Sequence, residues 1–340
     1  FNPITIFILF LFLLYSCVEN EKEEILDDGE KISYFIKITG PNPDHEILQG
    51  ELVNISLETS DNLTSLTEVM FFINEVNVGS LSEPPYQFSW NTAEYSKGEY
   101  KLRATINDAS GQKTEDEITV NIIEASVTDI DNNTYKIIQL GDRLWMAENL
   151  AVTKYNDGSE IPLGDSETIW YGTNTPFYCW LNNNEATNKE KYGALYNWYV
   201  VQTEKICPLG WHVPTDVEWT ELQAYLINNG FNYDGLTIGN YIGKSMAATS
   251  GWKENTIPGT IGNSQNLNNA SGFNAKPSGS RVIMRVGFYG HGSSTAWWSS
   301  NSDEGSQYAY NRSLTSFQEN LSRSNQLKQT GNCIRCIKDQ

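Results

Sequence analysis

Histidine is scarce in this chain: three residues in 340, at positions 45, 212 and 291. No HExxH, Walker-type phosphate loop, GxSxG or GxGxxG occurs anywhere. Those gaps remove the zincin, P-loop, nucleophile-elbow and dinucleotide-binding readings, each of which needs its residues at that spacing. Basic charge is also short, with 23 Lys and Arg against 42 Asp and Glu and a net charge of −19. Nucleic-acid binding requires clustered cations to meet phosphates, so it is excluded as a partner class. The acidity reads as a soluble, exposed surface. The longest apolar run, residues 4–15, is broken only by Thr5. It falls well below the ~20 residues of a membrane-spanning helix. Cysteine is limited to five residues, at positions 17, 179, 207, 333 and 336.

What is present divides by composition. Residues 1–16 read as a signal peptide whose apolar core is the run just described. Leu14-Tyr-Ser-Cys17 resembles a bacterial lipobox. That resemblance implies cleavage before Cys17, diacylation of its thiol and a membrane partner reached through the lipid. Residues 17–31 are densely acidic and read as a solvated tether. An acidic patch directly after such a Cys is similar to the export signal of surface lipoproteins in Bacteroidetes-type bacteria. The expected location is therefore the outer membrane, facing the cell surface, with the periplasmic face as the alternative.

Residues 32–124 alternate short strand-like runs with Gly, Pro, Asn and Asp breaks. Tyr34–Ile38, Leu52–Leu57, Val69–Ile73, Tyr100–Ile106 and Ile118–Ile122 are the clearest. About seven short strands in roughly 90 residues is a β-sandwich pattern. Pro84-Pro-Tyr-Gln-Phe-Ser-Trp90, Gly98-Glu-Tyr-Lys-Leu102 and Asn107-Asp-Ala-Ser-Gly111 together resemble bacterial immunoglobulin-like domains. These usually serve as spacers or adhesive modules. No Cys is available for an inter-sheet bridge, so Trp90 and its neighbours must carry the core.

Residues 125–340 hold nine of the ten Trp and thirteen of the eighteen Tyr. Strand-like runs occur at Leu144–Met146, Tyr178–Trp180, Ala194–Val200, Ala296–Ser299 and Cys333–Ile337. The stretch 251–273, rich in Gly, Asn, Ser and Thr, predicts a long loop of functional or mobile type. Between them Cys207-Pro-Leu-Gly-Trp-His-Val-Pro-Thr-Asp-Val-Glu-Trp219 turns into a helix. Thr215 and Glu218 have capping-box spacing, and Trp219, Leu222 and Leu226 recur at helical spacing as its buried face. Asp129, Asp131 and Asn133 copy the first ligand positions of an EF-hand. Thr134 and Leu140, however, replace the turn glycine and the bidentate acid, so a turn is expected and no metal. The four cysteines of this half allow three pairings. The preferred one joins Cys207 to Cys336 and leaves Cys179 for Cys333. Cys333 and Cys336 lie three apart on a strand and so face opposite sides.

Seven segments then occur in order: Trp145–Leu150, Tyr155–Gly158, Tyr192–Trp198, Cys207–Pro214, Ser271–Phe273, Trp297–Ser300 and Ile334–Asp339. Together they resemble the Fibrobacter succinogenes major paralogous domain, a module of bacterial surface lipoproteins with no established activity. Val213–Trp219 and Arg335-Cys336 are more distantly similar to the formylglycine-generating branch of C-type-lectin-like folds. The resemblance implies a head with few helices, a small twisted sheet and abundant loops. The expected class is thus β-rich and two-domain, an Ig-like β-sandwich followed by an α+β C-type-lectin-like domain. In the formylglycine-generating family a reactive cysteine pair precedes the terminal Arg-Cys strand. No such pair precedes Cys336 here, which argues against catalysis and leaves an envelope enzyme on glycans or sulfated substrates as the alternative. No cofactor is implied. The lectin calcium motifs Glu-Pro-Asn and Trp-Asn-Asp are absent too. What remains is binding of a glycan or a surface protein, with Trp252, Tyr289 and Trp297 as candidate stacking residues. His212 reads as a hydrogen-bonded structural residue rather than a general base.

Overall fold

The structure is a computed structural model that describes residues 35–59, 66–108, 113–283 and 287–340. The signal peptide, Cys17 and the acidic tether lie outside the described residues. The chain is β-rich and opens with an Ig-like domain. Its strands are β1 (Ile36–Gly40), β2 (Glu46–Leu48), β3 (Leu52–Thr59), β4 (Leu66–Ile73), β5 (Val76–Leu81), β6 (Gln87–Asn91), β7 (Gly98–Asp108) and β8 (Lys113–Ile123). One sheet has the order β1-β3-β6 and the other β2-β8-β7-β4-β5. Alternation decides the core: Val53 and Ile55 on β3, Leu102, Ala104 and Ile106 on β7, and Ile118, Val120 and Ile122 on β8 all turn inward. Each fully buried aliphatic of this kind stabilises by about 1.5–3 kcal/mol. Trp90, 2% exposed, meets Tyr95 edge-on at 5.1 Å and Tyr100 at 5.8 Å, so an aromatic trio stands where a disulfide would otherwise sit. The short β2, which pairs in parallel with β8 through Glu46–Leu48, has no counterpart in the sequence reading.

The remainder contains β9 (Ser126–Thr128), β10 (Thr134–Leu140), β11 (Arg143–Met146), β12 (Tyr178–Trp180), α1 (Glu185–Tyr192), β13 (Ala194–Tyr196), α2 (Trp198–Val201), β14 (Trp211–His212), α3 (Asp216–Asn228) and α4 (Gly243–Met246). It ends with β15 (Ser280–Val282), β16 (Gly287–Tyr289), β17 (Ser294–Ser302), β18 (Tyr308–Thr315), β19 (Ser322–Leu327) and β20 (Ile337–Lys338). The run Ala194–Val200 is therefore not one strand: Asn197 breaks it, and Trp198 to Val201 turn helical. Its larger sheets have the orders β14-β20-β11-β10-β9 and β17-β18-β19.

β17 runs between two hydrophobic clusters. Trp297 points into one with Trp145, Trp219 and Phe273, and Trp298 into the other with Tyr196 and Cys336. Both indoles are 0% exposed. Strand alternation holds, but here both faces of the strand are covered. Among the described residues three arginines are also buried, and they are held differently. Arg312 pairs with Asp216, its NH1 2.5 Å from the carboxylate. Arg281 lies over the rings of Trp170 and Phe288, at 4.9 and 5.2 Å. Arg335 lies 4.0 Å over Phe273 and donates to Asn149 Oδ1 and the Phe273 carbonyl. Burial lowers its pKa to about 9, which leaves it charged at neutral pH.

The segment 331–338 ties these pieces together. Asn332 exchanges backbone hydrogen bonds with Tyr196, and Cys333 bonds to Ala296 and Trp298. Ile334 accepts from Leu150 and Cys336 from Met146. Ile337 then pairs with both Trp145 and His212. Only Ile337–Lys338 is a regular strand, because each residue before it serves a different neighbour. The predicted loop 251–273 has no strand, yet Trp252, Ile261 and Phe273 are core residues that pin it.

Candidate functional site

His212 lines an open cleft of about 430 Å3 together with Ile206, Pro208, Trp211, Val213 and Asp339. Both ring nitrogens are engaged: Nδ1 lies 2.6 Å from Asp339 Oδ1, and Nε2 lies 3.0 Å from Glu218 Oε2. Contact with Glu218 raises the His212 pKa, burial opposes that, and Asp339 adds to the rise. Burial would raise Glu218 in turn, but donors from His212 and Thr215 outweigh it and hold the carboxyl at about 2. Arg143 adds a guanidinium 3.4 Å from Glu218. An imidazolium clamped between two carboxylates has no free nitrogen to act as a base. This cluster fixes the start of α3 against the C-terminal segment.

At that start Thr215 Oγ1 accepts from the Glu218 N–H, while Glu218 Oε2 accepts from the Thr215 N–H at 2.8 Å, a reciprocal cap. Trp219 is 0% exposed and stacks near Trp145 at 4.9 Å and Trp297 at 6.0 Å. In the Asp129 turn, Oδ1 accepts from the Asp131 and Asn133 N–H groups, and Oδ2 from Asn133 Nδ2 and the Tyr135 hydroxyl. The Asp129 carboxylate is thus spent on closing the turn, while Asp131 Oδ2 accepts from the Thr153 N–H and hydroxyl.

Cys207 and Cys336 form a disulfide. The pairing of Cys179 with Cys333 is corrected: both are free, fully buried thiols. Cys179 is paired across β12–β13 with Leu195, and Tyr196 of β13 is paired on its other side with Asn332. Strand β13 therefore stands between the two cysteines. Two strand spacings put their Cα atoms roughly 9–10 Å apart, beyond the reach of a disulfide. Burial pushes the Cys179 thiol up to about 12. Cys333 Sγ is instead engaged by Asn149 Nδ2 and Ser278 Oγ. Cys333 and Cys336 belong to different core clusters, on opposite sides of the segment that carries them.

The three candidate stacking residues separate in the structure. Trp252, 4% exposed, and Trp297, 0%, are core residues and unavailable to a ligand, because the loop and β17 that carry them fold inward. Tyr289 is 59% exposed and stands on β16 at the side of an open groove of about 330 Å3. Val282, Ile283 and Leu327 line that groove, Tyr308 stands on it as well, and Gln326 and Thr330 supply polar groups. Tyr308, on β18 and 44% exposed, was missed by sequence reasoning. Its only signal is the Tyr308-Ala-Tyr310 alternation, in which Ala309 turns inward. Close approach of the hairpin depends on Gly279, with φ +70°, where an added Cβ would lie 2.5 Å from the Tyr289 carbonyl oxygen. An apolar floor with aromatic sides and a few polar groups is the usual make-up of a ligand groove.

The fold and this groove define a β-rich protein with an Ig-like first domain and a Trp-packed second one. Residues 138–338 match the Fibrobacter succinogenes major domain, and residues 35–104 match a bacterial Ig domain. The chain belongs to the Fibrobacter succinogenes major domain family. No curated protein matches it. Among solved structures, the Clostridium thermocellum CbhA fibronectin(III)-like modules align at 20% identity, covering 27% of this chain and 47% of theirs, with a TM-score of 0.25. SGBP-B of the Bacteroides ovatus mixed-linkage glucan utilization locus aligns at 17%, covering 39% and 36%, with a TM-score of 0.23. Bacteroides uniformis beta-glucuronidase 2 aligns at 15%, covering 49% and 20%, with a TM-score of 0.24. The chain spans less than half the length of each of these three. Likenesses this slight carry no inference about fold or activity.

Proposed function

We propose that this is a surface-displayed, lipid-anchored binding protein of the outer membrane whose second domain engages glycan through the Tyr289–Tyr308 groove. Cys17 would carry the lipid, residues 17–31 the tether and the Ig-like domain the spacing. The observation that carries the binding assignment is two exposed tyrosines on one apolar groove, in a domain where the Trp candidates are buried. Tyrosine offers a sugar an apolar face for stacking and a hydroxyl for its polar edge. Support for a C-type-lectin-like α+β arrangement comes from the short helices, the small sheets, the long loops and a disulfide that ties the terminal strand. Binding rather than catalysis is favoured by two further observations. Both nitrogens of His212 are occupied, and the thiols of Cys179 and Cys333 are sealed from solvent. Among the described residues no helix is long and apolar enough to cross a membrane.

A glycan array probed with the intact chain tests the proposal. A neutral oligosaccharide should bind, and Tyr289→Ala and Tyr308→Ala should each weaken it by roughly tenfold at unchanged melting temperature. Retention of full affinity by both variants would remove the groove from the function.

A further inference from the structure

The loops between α3 and β15 enclose a third concavity, of about 360 Å3, to which Phe231, Tyr233, Lys244, Asn263, Ser264 and Leu267 contribute. Lys244, on α4, is 8% exposed. Its ammonium donates to the Asn263 carbonyl and, at 3.4 Å, to that of Ser264. An ammonium has three protons to place, and among the described residues no carboxylate pairs with this one. Burial alone accounts for the lowering of its pKa. Buried charges are ordinarily matched by an opposite charge, because an unmatched one is costly to withdraw from water. Here its acceptors are two backbone carbonyls, and Lys244, Asn263 and Ser264 all line the cavity.

The surroundings are built and not slack. Asn232 Nδ2 donates to the carbonyls of Leu236 and Ile238, and its Oδ1 accepts from the Tyr241 N–H at 2.8 Å. The Tyr233 ring lies against Gly259, where φ is +84° and an added Cβ would meet the ring at 2.5 Å. Tyr241 supports the same ring edge-on at 5.8 Å, leaving Tyr233 46% exposed. Leu267, 68% exposed, gives the cavity a second apolar wall. Glu319 and Asp234 raise the pKa of the Tyr233 hydroxyl, and among the described residues no acid acts on Lys244, whose pKa is lowered by burial.

We propose that this cavity binds an anionic sugar, its carboxylate or sulfate seated on the Lys244 ammonium and its ring against Tyr233 and Leu267. The site is separate from the Tyr289–Tyr308 groove and does not depend on it. The test is calorimetric titration of the intact chain with D-galacturonic acid, galactose 6-sulfate, galactose and inorganic sulfate. At least one acidic sugar should bind about tenfold or more tightly than galactose, and the tighter of the two identifies the anion. Lys244→Met should weaken it by about tenfold or more, whereas Tyr289→Ala should leave it unchanged. Three results would overturn the proposal: no binding of either acid up to about 10 mM, equal affinity for galactose, or full affinity in Lys244→Met. Inorganic sulfate binding as tightly as the sulfated sugar would also overturn it, because the ring would then contribute nothing. Should Lys244→Met melt early, Tyr233→Ala takes its place. That variant removes a half-exposed ring at the rim, so it should still fold and lose affinity severalfold, and unchanged affinity in the folded variant would count against the site.

Discussion

Thr215 and Trp219 sit four residues apart at the same helix start and stabilise it by different means. Thr215 satisfies one backbone N–H at a half-buried cap, a contribution of about 1 kcal/mol. Trp219 fills the space among Trp145, Phe273 and Trp297, and cutting it to Ala should cost roughly 3–5 kcal/mol. Against a total of about 5–15 kcal/mol, Thr215→Ala should fold and Trp219→Ala should be close to failure. Equal shifts in melting temperature would mean that the indole is not packed as described. Among the described residues nothing accepts the indole N–H of Trp219, so Trp219→Phe should be much milder than Trp219→Ala. His212 gives a pH signature at the same place. Its pKa is raised in the folded state, so its stabilisation is complete below the unfolded value of about 6.5 and is lost as pH rises through the folded value. Glu218, held at about 2, contributes above its unfolded value of 4.5 and loses that contribution as pH falls toward 2. Melting followed from pH 6 to pH 9 should therefore decline in the wild type, and His212→Gln should flatten that decline. An unchanged slope in the variant would exclude the clamp as its source.

Among the elements, the segment 331–338 joins β11, β13, β14 and β17, and the Cys207–Cys336 bond spans a separation of 129 residues. Cys336→Ser should cost about 2–5 kcal/mol, as loss of a native disulfide typically does. Non-reducing peptide mapping should recover the 207–336 bridge together with Cys179 and Cys333 as thiols. A 179–333 peptide would contradict the intervening β13 strand. The same segment explains what could and could not be read in advance. The Ig-like strands and the α3 cap were legible because they are written in local terms, a period of two or a Thr-x-x-Glu spacing. The parallel partner of β2, the strand between two cysteines and the burial of Trp252 and Trp297 depend on contacts far apart in sequence, for which no local pattern exists. Tyr289 was found as an exposed aromatic. Lys244 was not found, because a lone Lys on a four-residue helix looks like any surface cation until its burial is known.

At the scale of the whole molecule, attachment is the claim most open to experiment. Cys17→Ala should shift the protein from the detergent phase to the aqueous phase in phase partitioning, and an unchanged partition would rule out a lipid anchor at that residue. Between the two domains, Lys338 pairs with Glu46 at 2.5 Å and Gln139 lies 3.3 Å from His45, so the Ig-like domain touches the second domain beside its closing strand. That closing strand also constrains how the molecule comes into being. The partners of residues 332–338 lie at Leu150, Tyr196, Trp211 and Trp298, spread along nearly the whole domain. A chain still emerging from the ribosome can complete its Ig-like sandwich early, whereas the second domain lacks its central stitch until the last of these residues is free. Such long-range closure is slow. The polypeptide should therefore pass through synthesis with one domain finished and the other open, and the order of assembly is set by the position of a single short strand.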